Sequence, residues 1–486
     1  MRIFAESQVL KRWNLQQTGE NKHIKITGKG EKAHWSLPYK KAEEKVNNPI
    51  YEQLTQVGIT DLMQFVNNKT GFMGTFTHTL DRYVKSEADD SVISACIIAL
   101  ATNLSLSIMS DISDLNFNTL HTTLNNFLRI ETLRNANDLI SNETALLPIF
   151  KHYNIEEDAV HSSSDGQKFE TQVHTINSRY SSKYFGFRKG ITACSLVANH
   201  VPVNTKIIGA NEHESHFVFD LLHNNTTDIE PEIHSTDTHG VNNVNFWTLY
   251  AFGYQFAPRY KDLKGRSDNG LIGFNSTSHY QDFLLKPNRK VKESLVITEW
   301  PNIQRIMASL ALKETTQSII IRKLSSYERK NRTKKAMWEL DSIVRSLYML
   351  YFIDNISVRR NVQRVLNRGE AYHQLRRAIS LANFGRLKAR TELEQQIWNE
   401  CARLIANCII FYNANLLSIL LSIKERNGQH DEADLIKRVS PVAWQHINLR
   451  GRYQFKKQKH RLDLEKIIDS ISGLGIAELK ANLLFN

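Results

Sequence analysis

Apolar residues recur at three- and four-residue steps over the first 150 residues and again from about residue 300, whereas the stretch between alternates short apolar runs with polar turns. The first pattern is that of helices buried along one face, the second that of short strands. After the Asn48-Pro49 turn, Leu62, Phe65 and Val66 share a helix face, and Ile93, Cys96, Ile97 and Leu100 repeat the spacing. Residues 115–127 and 132–140 predict further helices. From residue 158 the texture changes: 159–164, 184–187 and 195–200 predict strands, 214–222 a helix, 233–235 a strand, 245–252 a helix and 255–257 a last short strand. That order predicts an α/β layer with mixed sheet pairing. Helices return at 306–324, 336–352, 370–387 and 393–423. Gly369 suits a helix start, so Glu370 is expected to open its helix. Glu370, Gln374 and Arg377 then share a polar face, and Leu375, Ala378, Ile379 and Ala382 a buried one. The fold class expected is mixed, α+β, with helical regions on both sides of the α/β layer.

Composition changes this picture only where it is uneven. A chain of 486 residues exceeds what one core serves, so several domains are expected. Cys96, Cys194, Cys401 and Cys408 contain no Cys-x-x-Cys pair, which argues against a disulfide framework or zinc knuckle and fits a reducing cytoplasm. The start of the chain mixes Arg2, Glu6, Lys11 and Arg12 without an apolar core, so no signal peptide is expected. Residues 92–109 and 404–423 are the most apolar stretches, but Thr102, Asn103, Asn407, Asn413 and Asn415 interrupt them, as in buried helices of a soluble protein. The net charge of +12 is concentrated: residues 322–390 hold 17 Lys plus Arg against 5 Asp plus Glu, which accounts for all of it. A basic segment of that kind suits a phosphate-backbone partner, with a solvated helix face as the plainer alternative.

Three acidic residues sit in settings that suit hard-metal chemistry. Asp165 lies in Ser162-Ser163-Ser164-Asp165-Gly166-Gln167, Asp237 in Ser235-Thr236-Asp237-Thr238-His239-Gly240, and Glu370 in Leu366-Asn367-Arg368-Gly369-Glu370. Carboxylates gathered from two strand ends and a helix provide the oxygen ligands that a pair of Mg²⁺ ions needs for phosphoryl transfer. Pairing of the first and fourth strands at the centre of the layer would make Asp165 and Asp237 neighbours, a ribonuclease-H-like arrangement. The intervals are 72 and 133 residues, and the second is long enough to hold a helical insertion before Glu370. Acidic residues after strands also cap turns, and for Asp237 that alternative stands level. His239 suits either a phosphate or metal-water contact or a local turn bond. The cluster Glu212-His213-Glu214-Ser215-His216 lacks the His-Glu-x-x-His spacing of a zinc hydrolase. Arg259, Lys261, Arg364, Arg368, Arg376 and Arg377 are the cations expected to line a DNA channel, and Trp444 reads as a packing anchor.

Several blocks together resemble a known family. Residues 162–169, Thr236-Asp237-Thr238-His239-Gly240, Phe256-Ala257-Pro258-Arg259-Tyr260-Lys261-Asp262-Leu263, Leu366-Asn367-Arg368-Gly369-Glu370-Ala371 and Ser440-Pro441-Val442-Ala443-Trp444-Gln445-His446-Ile447-Asn448-Leu449 are similar, in order, to the signature blocks of Tn-three family replicative transposases. The resemblance implies a ribonuclease-H-like core whose Asp165, Asp237 and Glu370 hold two Mg²⁺ ions, with Mn²⁺ as a substitute. It implies Mg-dependent 3′-end strand cleavage and strand transfer, DNA (transposon ends and target duplex) as partner, a homodimer when both ends are paired, and a bacterial cytoplasmic setting. The domains expected are a mainly helical region at 1–150, the ribonuclease-H-like core at 151–270, a helical insertion at 271–365, completion of the core at 366–454 and a basic, helical tail at 455–486 that includes Lys456, Lys457 and Lys459. Family members are about twice as long and carry an N-terminal DNA-binding part, so the chain is expected to be a truncated or split C-terminal half. Two alternatives stay open: a catalytically silent regulatory fragment that binds DNA or a partner, and a nuclease that cuts without joining.

Overall fold

The computed structural model describes residues 25–27, 34–37, 48–80, 89–156, 158–281, 283, 285–326, 331–455 and 462–475; Lys456, Lys457 and Lys459 lie outside them. The fold is mixed α and β, and the chain divides into two compact units. The smaller comprises Met1–Ala42, His213–His223 and Glu232–Leu366, and the larger Glu43–Glu212, Asn224–Pro231 and Asn367–Asn486. In chain order the strands that matter are β1 (His161–Glu170), β2 (Arg179–Tyr180), β3 (Lys189–Ala198), β4 (Val201–Gly209), β5 (Ile233–Ser235) and β6 (Gln255–Phe256). The helices are α1 (Ile59–Thr70), α2 (Asp90–Ala101), α3 (Phe117–Phe127), α4 (Ile130–Ala145), α5 (Asn245–Ala251), α6 (Glu293–Ala311), α7 (Gln317–Ser325), α8 (Arg332–Asp354), α9 (Ile356–Ile379) and α10 (Glu392–Arg426).

In the larger unit β3 pairs antiparallel with β1 along one edge and with β2 and β4 along the other. The β3–β4 hairpin turns on Asn199 and His200, both with positive φ (45° and 73°). A two-residue loop of that hand matches the twist of the strands it joins. Register puts Asp165 opposite Ser195, in the middle of a ten-residue strand instead of beyond its end. The sequence pattern stops short because Gly166 and Gln167 look like a turn, yet both continue the ladder.

Helix α10 is the spine of this unit. It packs against α1, α2, α4 and β4, and two of its buried asparagines donate across the core. Asn407 Nδ2 donates to Asn137 Oδ1 at 2.9 Å, and Asn413 Nδ2 donates to the Pro441 and Ala443 carbonyls at 2.8 Å. An unpaired buried amide would cost about 1–3 kcal/mol, so these bonds let polar residues sit in the core. They also anchor the Ser440–Leu449 block, where His446 Nε2 lies 2.9 Å from Asn413 Oδ1 and Tyr51 Oη donates to the Ser440 carbonyl at 2.7 Å. Among the described residues α10 is the one helix long and apolar enough to cross a membrane, and most of that stretch is packed inside the protein.

In the smaller unit β5 and β6 pair in parallel, and α5 and α6 pack on α8. Asp341 of α8 accepts from the Phe246 and Trp247 amides at 2.8 and 3.3 Å, satisfying buried N–H groups that the first turn of α5 leaves unpaired. The single helix expected at 306–324 is two, α6 and α7, separated at Lys313, whose φ of 55° ends α6. The strand expected at 184–187 is instead a short helix, Ser182–Phe185, closed by Gly186 at φ 58°. Aromatic residues suggested a strand there, but Phe187 is fully exposed and packs on nothing.

Candidate active site

Asp165, Glu370 and His373 converge in the larger unit, with one ligand atom from each lying within 4.8 Å of the others. β1 supplies the first and α9 the other two. Glu370 and His373 are one helical turn apart and so face the same way. Asp165 is about a third exposed, Glu370 is exposed, and His373 is buried.

The contact between β1 and α9 is close because of a glycine. A Cβ on Gly369 would stand 3.1 Å from Ser163 Oγ, so a side chain there would make strand and helix give way by a few tenths of an ångström. Gly369 therefore serves packing and not a helix start: α9 begins at Ile356, and Glu370 lies in its fifth turn. Gln167 Nε2 donates to the His373 carbonyl at 2.9 Å, a second tie between the elements two residues from Asp165. Leu375 and Ile379 are buried as the apolar spacing predicts, and Gln374 and Arg377 are exposed beside Glu370.

Arg376 was expected to meet DNA, and the structure corrects this. It is completely buried, with its guanidinium 5.4 Å from the Phe169 ring centroid and 5.0 Å from that of Trp398. It donates to Ser195 Oγ at 3.1 Å and also to Asn399 Oδ1. A guanidinium so enclosed ties α9 to the sheet and has no face for a phosphate.

His373 is the residue that spacing arguments missed. Its signal was the Glu-x-x-His interval, which puts two ligands on one helix face. Burial, then Arg376 and Arg377, lower its pKa to about 3, so the imidazole is neutral. Its Nδ1 stands 3.8 Å from Asp165 Oδ2, which is accordingly neither an ion pair nor a hydrogen bond. Two carboxylates and a neutral imidazole at this spacing form a donor set suited to a divalent cation.

Asp237 belongs to the smaller unit, directly after β5. Its Oδ1 accepts from the His239 amide at 2.8 Å, so the local capping bond is made. Thr238 Oγ1 donates to the Arg259 carbonyl at 3.1 Å, fixing this turn against the segment after β6. Gly240 is required here, since a Cβ would lie 2.3 Å from Thr236 Cβ. His239 and Lys261 are exposed, and Arg259 donates to Gln363 Oε1 at 3.2 Å. Arg364 is half-buried and Arg377 exposed, while Arg368 turns inward and donates to the Tyr153 carbonyl at 2.8 Å. Glu212 accepts from the Gly209 amide at 2.7 Å, and the Glu212–His216 stretch forms no three-ligand cluster among the described residues.

Comparison with known proteins decides the family. The sequence profile of the Tn3 transposase DDE domain matches residues 61–453. The chain belongs to that family. It is 29% identical over 422 residues to the transposase for transposon Tn1546 of Enterococcus faecium, covering 86% of this chain and 42% of the relative. It is 29% identical over 414 residues to the transposase for transposon gamma-delta of Escherichia coli (strain K12), covering 85% and 41%. With the transposase for transposon Tn4556 of Streptomyces fradiae it shares 24% over 407 residues, covering 83% and 45%. The chain thus spans about two-fifths of the length of these relatives. Membership of a DDE family implies use of divalent metal, and the Asp165, Glu370 and His373 cluster fits that use.

Proposed function

We propose that this chain is the catalytic part of a DNA transposase, performing Mg²⁺-dependent cleavage at transposon 3′ ends and transfer of the freed 3′-hydroxyl to a target strand. The observation that carries the reading is the convergence of Asp165, Glu370 and His373 in a chain of this family. Asp165, Asp237 and Glu370 are the three acidic ligands of a ribonuclease-H-like core, and His373 adds a nitrogen donor beside Asp165. When bound, divalent cations supply charge neutralisation at the attacking and leaving oxygens of an in-line displacement. The protein's own part is positioning. Gly369 and Gln167 hold α9 at a fixed height over β1, and Arg376 locks the helix from beneath. No side chain need act as nucleophile.

Lys261, Arg377, Arg364 and Arg259 are the cations proposed to neutralise DNA phosphates, with His239 placed to position a phosphate or a water. Each contributes mainly a sequence-independent, salt-sensitive share of affinity. Two DNA ends must be processed together, so a dimer on paired ends belongs to the reading.

The test uses labelled DNA carrying the element's ends and a target duplex, in Mg²⁺ and in EDTA, with Glu370→Gln alongside. Mg²⁺-dependent nicks plus joined strands longer than the input, both lost in the variant, are expected. Nicks without joining would reduce the protein to a nuclease. DNA retained without metal-dependent nicks would leave a regulatory DNA-binding fragment.

A further inference from the structure

Two fully exposed phenylalanines project from neighbouring loops of the larger unit. Phe187 is 100% exposed and Phe384 97% exposed. Each adjoins a left-handed glycine and an arginine: Gly186-Phe187-Arg188 in one loop, Phe384-Gly385-Arg386 in the other, with glycine φ of 58° and 72°. The two arginines grip one carboxylate. Arg188 Nη1 lies 2.7 Å and Arg386 Nε 3.1 Å from Glu170 Oε1, at the end of β1. The loops are thereby tied together, with a phenylalanine beside each clasp.

The second loop is held in a costly shape. Asn383 and Phe384 have φ/ψ of 57°/34° and 56°/32°. The left-handed region costs a residue with a side chain roughly 1–2 kcal/mol, and asparagine tolerates it better than phenylalanine. Asn103 maintains it: Nδ2 donates to the Ala382 and Arg386 carbonyls at 3.0 and 2.7 Å, and Asn383 Nδ2 donates to the Asn103 carbonyl at 2.6 Å.

The surroundings select the partner. Residues 179–190 contain four Lys plus Arg and residues 381–390 three, and neither segment contains Asp or Glu. Lys189 stands 4.9 Å from the Tyr180 ring and Lys183 5.1 Å from the Tyr184 ring. Aromatic rings interleaved with cations suit a polyanion whose bases stack and whose phosphates pair with ammonium and guanidinium groups. Taking DNA as the substrate from the function proposed above, we infer that Phe187 and Phe384 are wedges that enter the duplex and unstack its bases. Apolar side chains inserted between base steps kink DNA, and the bend brings more phosphate onto the protein. Glu170 lies five residues beyond Asp165 on β1, about 17 Å at the usual rise per residue. The wedges therefore stand beyond the far end of the strand that carries Asp165, where they would meet the same duplex.

The test uses a nicked duplex of mixed sequence with 2-aminopurine at successive positions from the nick, titrated with the full chain in Ca²⁺ to prevent turnover. Fluorescence should rise at one position at a fixed distance from the nick. The F187A/F384A variant should lose that rise and bind about tenfold more weakly, in line with the stacking of one or two bases. F384W should keep the rise, since indole stacks at least as well, which rules out a folding defect as the cause. Equal fluorescence and affinity in wild type and F187A/F384A would overturn the wedge. So would unchanged fluorescence with loss of self-association in sedimentation, which would assign the rings to a second copy of the chain. Metal-dependent nicking by the wild type, scored on the same duplex in Mg²⁺, separates failure of the wedge from failure of the catalytic reading.

Discussion

At Asp165, Glu370 and His373 the chemistry of each donor sets what its removal should do. Asp165→Asn and Glu370→Gln keep shape but remove charge, and Asp237→Asn does the same in the other unit. Each should abolish Mg²⁺-dependent nicking while thermal midpoint and binding of unrelated duplex stay near wild type, and ordinary nicking by all three would refute the ligand assignment. His373 differs because it supplies a neutral nitrogen, which Mn²⁺ accepts more readily than Mg²⁺. Wild-type protein loaded with Mn²⁺ should show ¹⁴N coupling in pulsed electron paramagnetic resonance, and His373→Ala should lose it with metal affinity about 10–100-fold weaker. An unchanged ¹⁴N signal would exclude His373 from the metal. Gly369 gives a finer test. Alanine there gains about 1 kcal/mol of helix propensity, against a Cβ only 3.1 Å from Ser163 Oγ. Stability of Gly369→Ala should stay near wild type while metal affinity falls, because Glu370 moves with the helix. Removing the opposing oxygen in Gly369→Ala/Ser163→Ala should restore it.

Helix α9 presents two neighbouring arginines to opposite environments, and they should fail in opposite ways. Arg376 fills a slot between Phe169 and Trp398 and bonds Ser195 and Asn399, so Arg376→Ala loses stacking and leaves buried polar groups unpaired. About 3 kcal/mol or more of stability should go, and Arg376→Lys should recover little, because an ammonium cannot stack as a planar guanidinium does. Exposed Arg377→Ala should leave the urea midpoint unchanged but lower the salt dependence of duplex binding by about one counterion. This pair also shows what was legible beforehand. Spacing placed Glu370, Gln374 and Arg377 on one face and Leu375 and Ile379 on the other, since periodicity reports faces directly. It could not report that Arg376, one residue along, points into a three-sided slot assembled from β1, β3 and α10. Strand and helix ends were harder still. Asp165 looked terminal because Gly166 follows it, and Glu370 looked initial because Gly369 precedes it, yet both glycines lie inside elements. Gly369 is there for close approach, a cause that exists only in three dimensions. Ile233–Ser235 and Asn245–Ala251 were read almost to the residue, their apolar runs being bounded by polar turns.

Across the whole molecule, the buried histidines of the larger unit and the buried Asp341 of the smaller one respond to acid in opposite senses. In the larger unit burial lowers the pKa of His446 to about 4, burial and Arg368 lower that of His161 to about 3, and His200 is lowered by the same two causes. These rings are neutral when folded, but unfolded histidine protonates near pH 6.5. Between about pH 6.5 and 4 the unfolded larger unit therefore binds more protons, and its stability falls as pH falls. Asp341 in the smaller unit behaves in the reverse sense: burial raises its carboxyl to about 6 despite Arg345 and the two amides that favour its charge. Between about pH 6 and 4 the folded form holds the extra proton, so this group adds stability as pH falls. Each group contributes a slope of at most about 1.4 kcal/mol per pH unit in its own window. Hydrogen exchange read peptide by peptide should show protection in α4, β3 and α10 dropping steeply from pH 7 to 4.5, after correction for intrinsic exchange, while α5 and α8 hold or gain. His446→Gln, which keeps a polar side chain without the titration, should flatten the fall around α10. Parallel loss in both units, or an unchanged slope in His446→Gln, would mean that buried histidine does not set the acid limit of this protein.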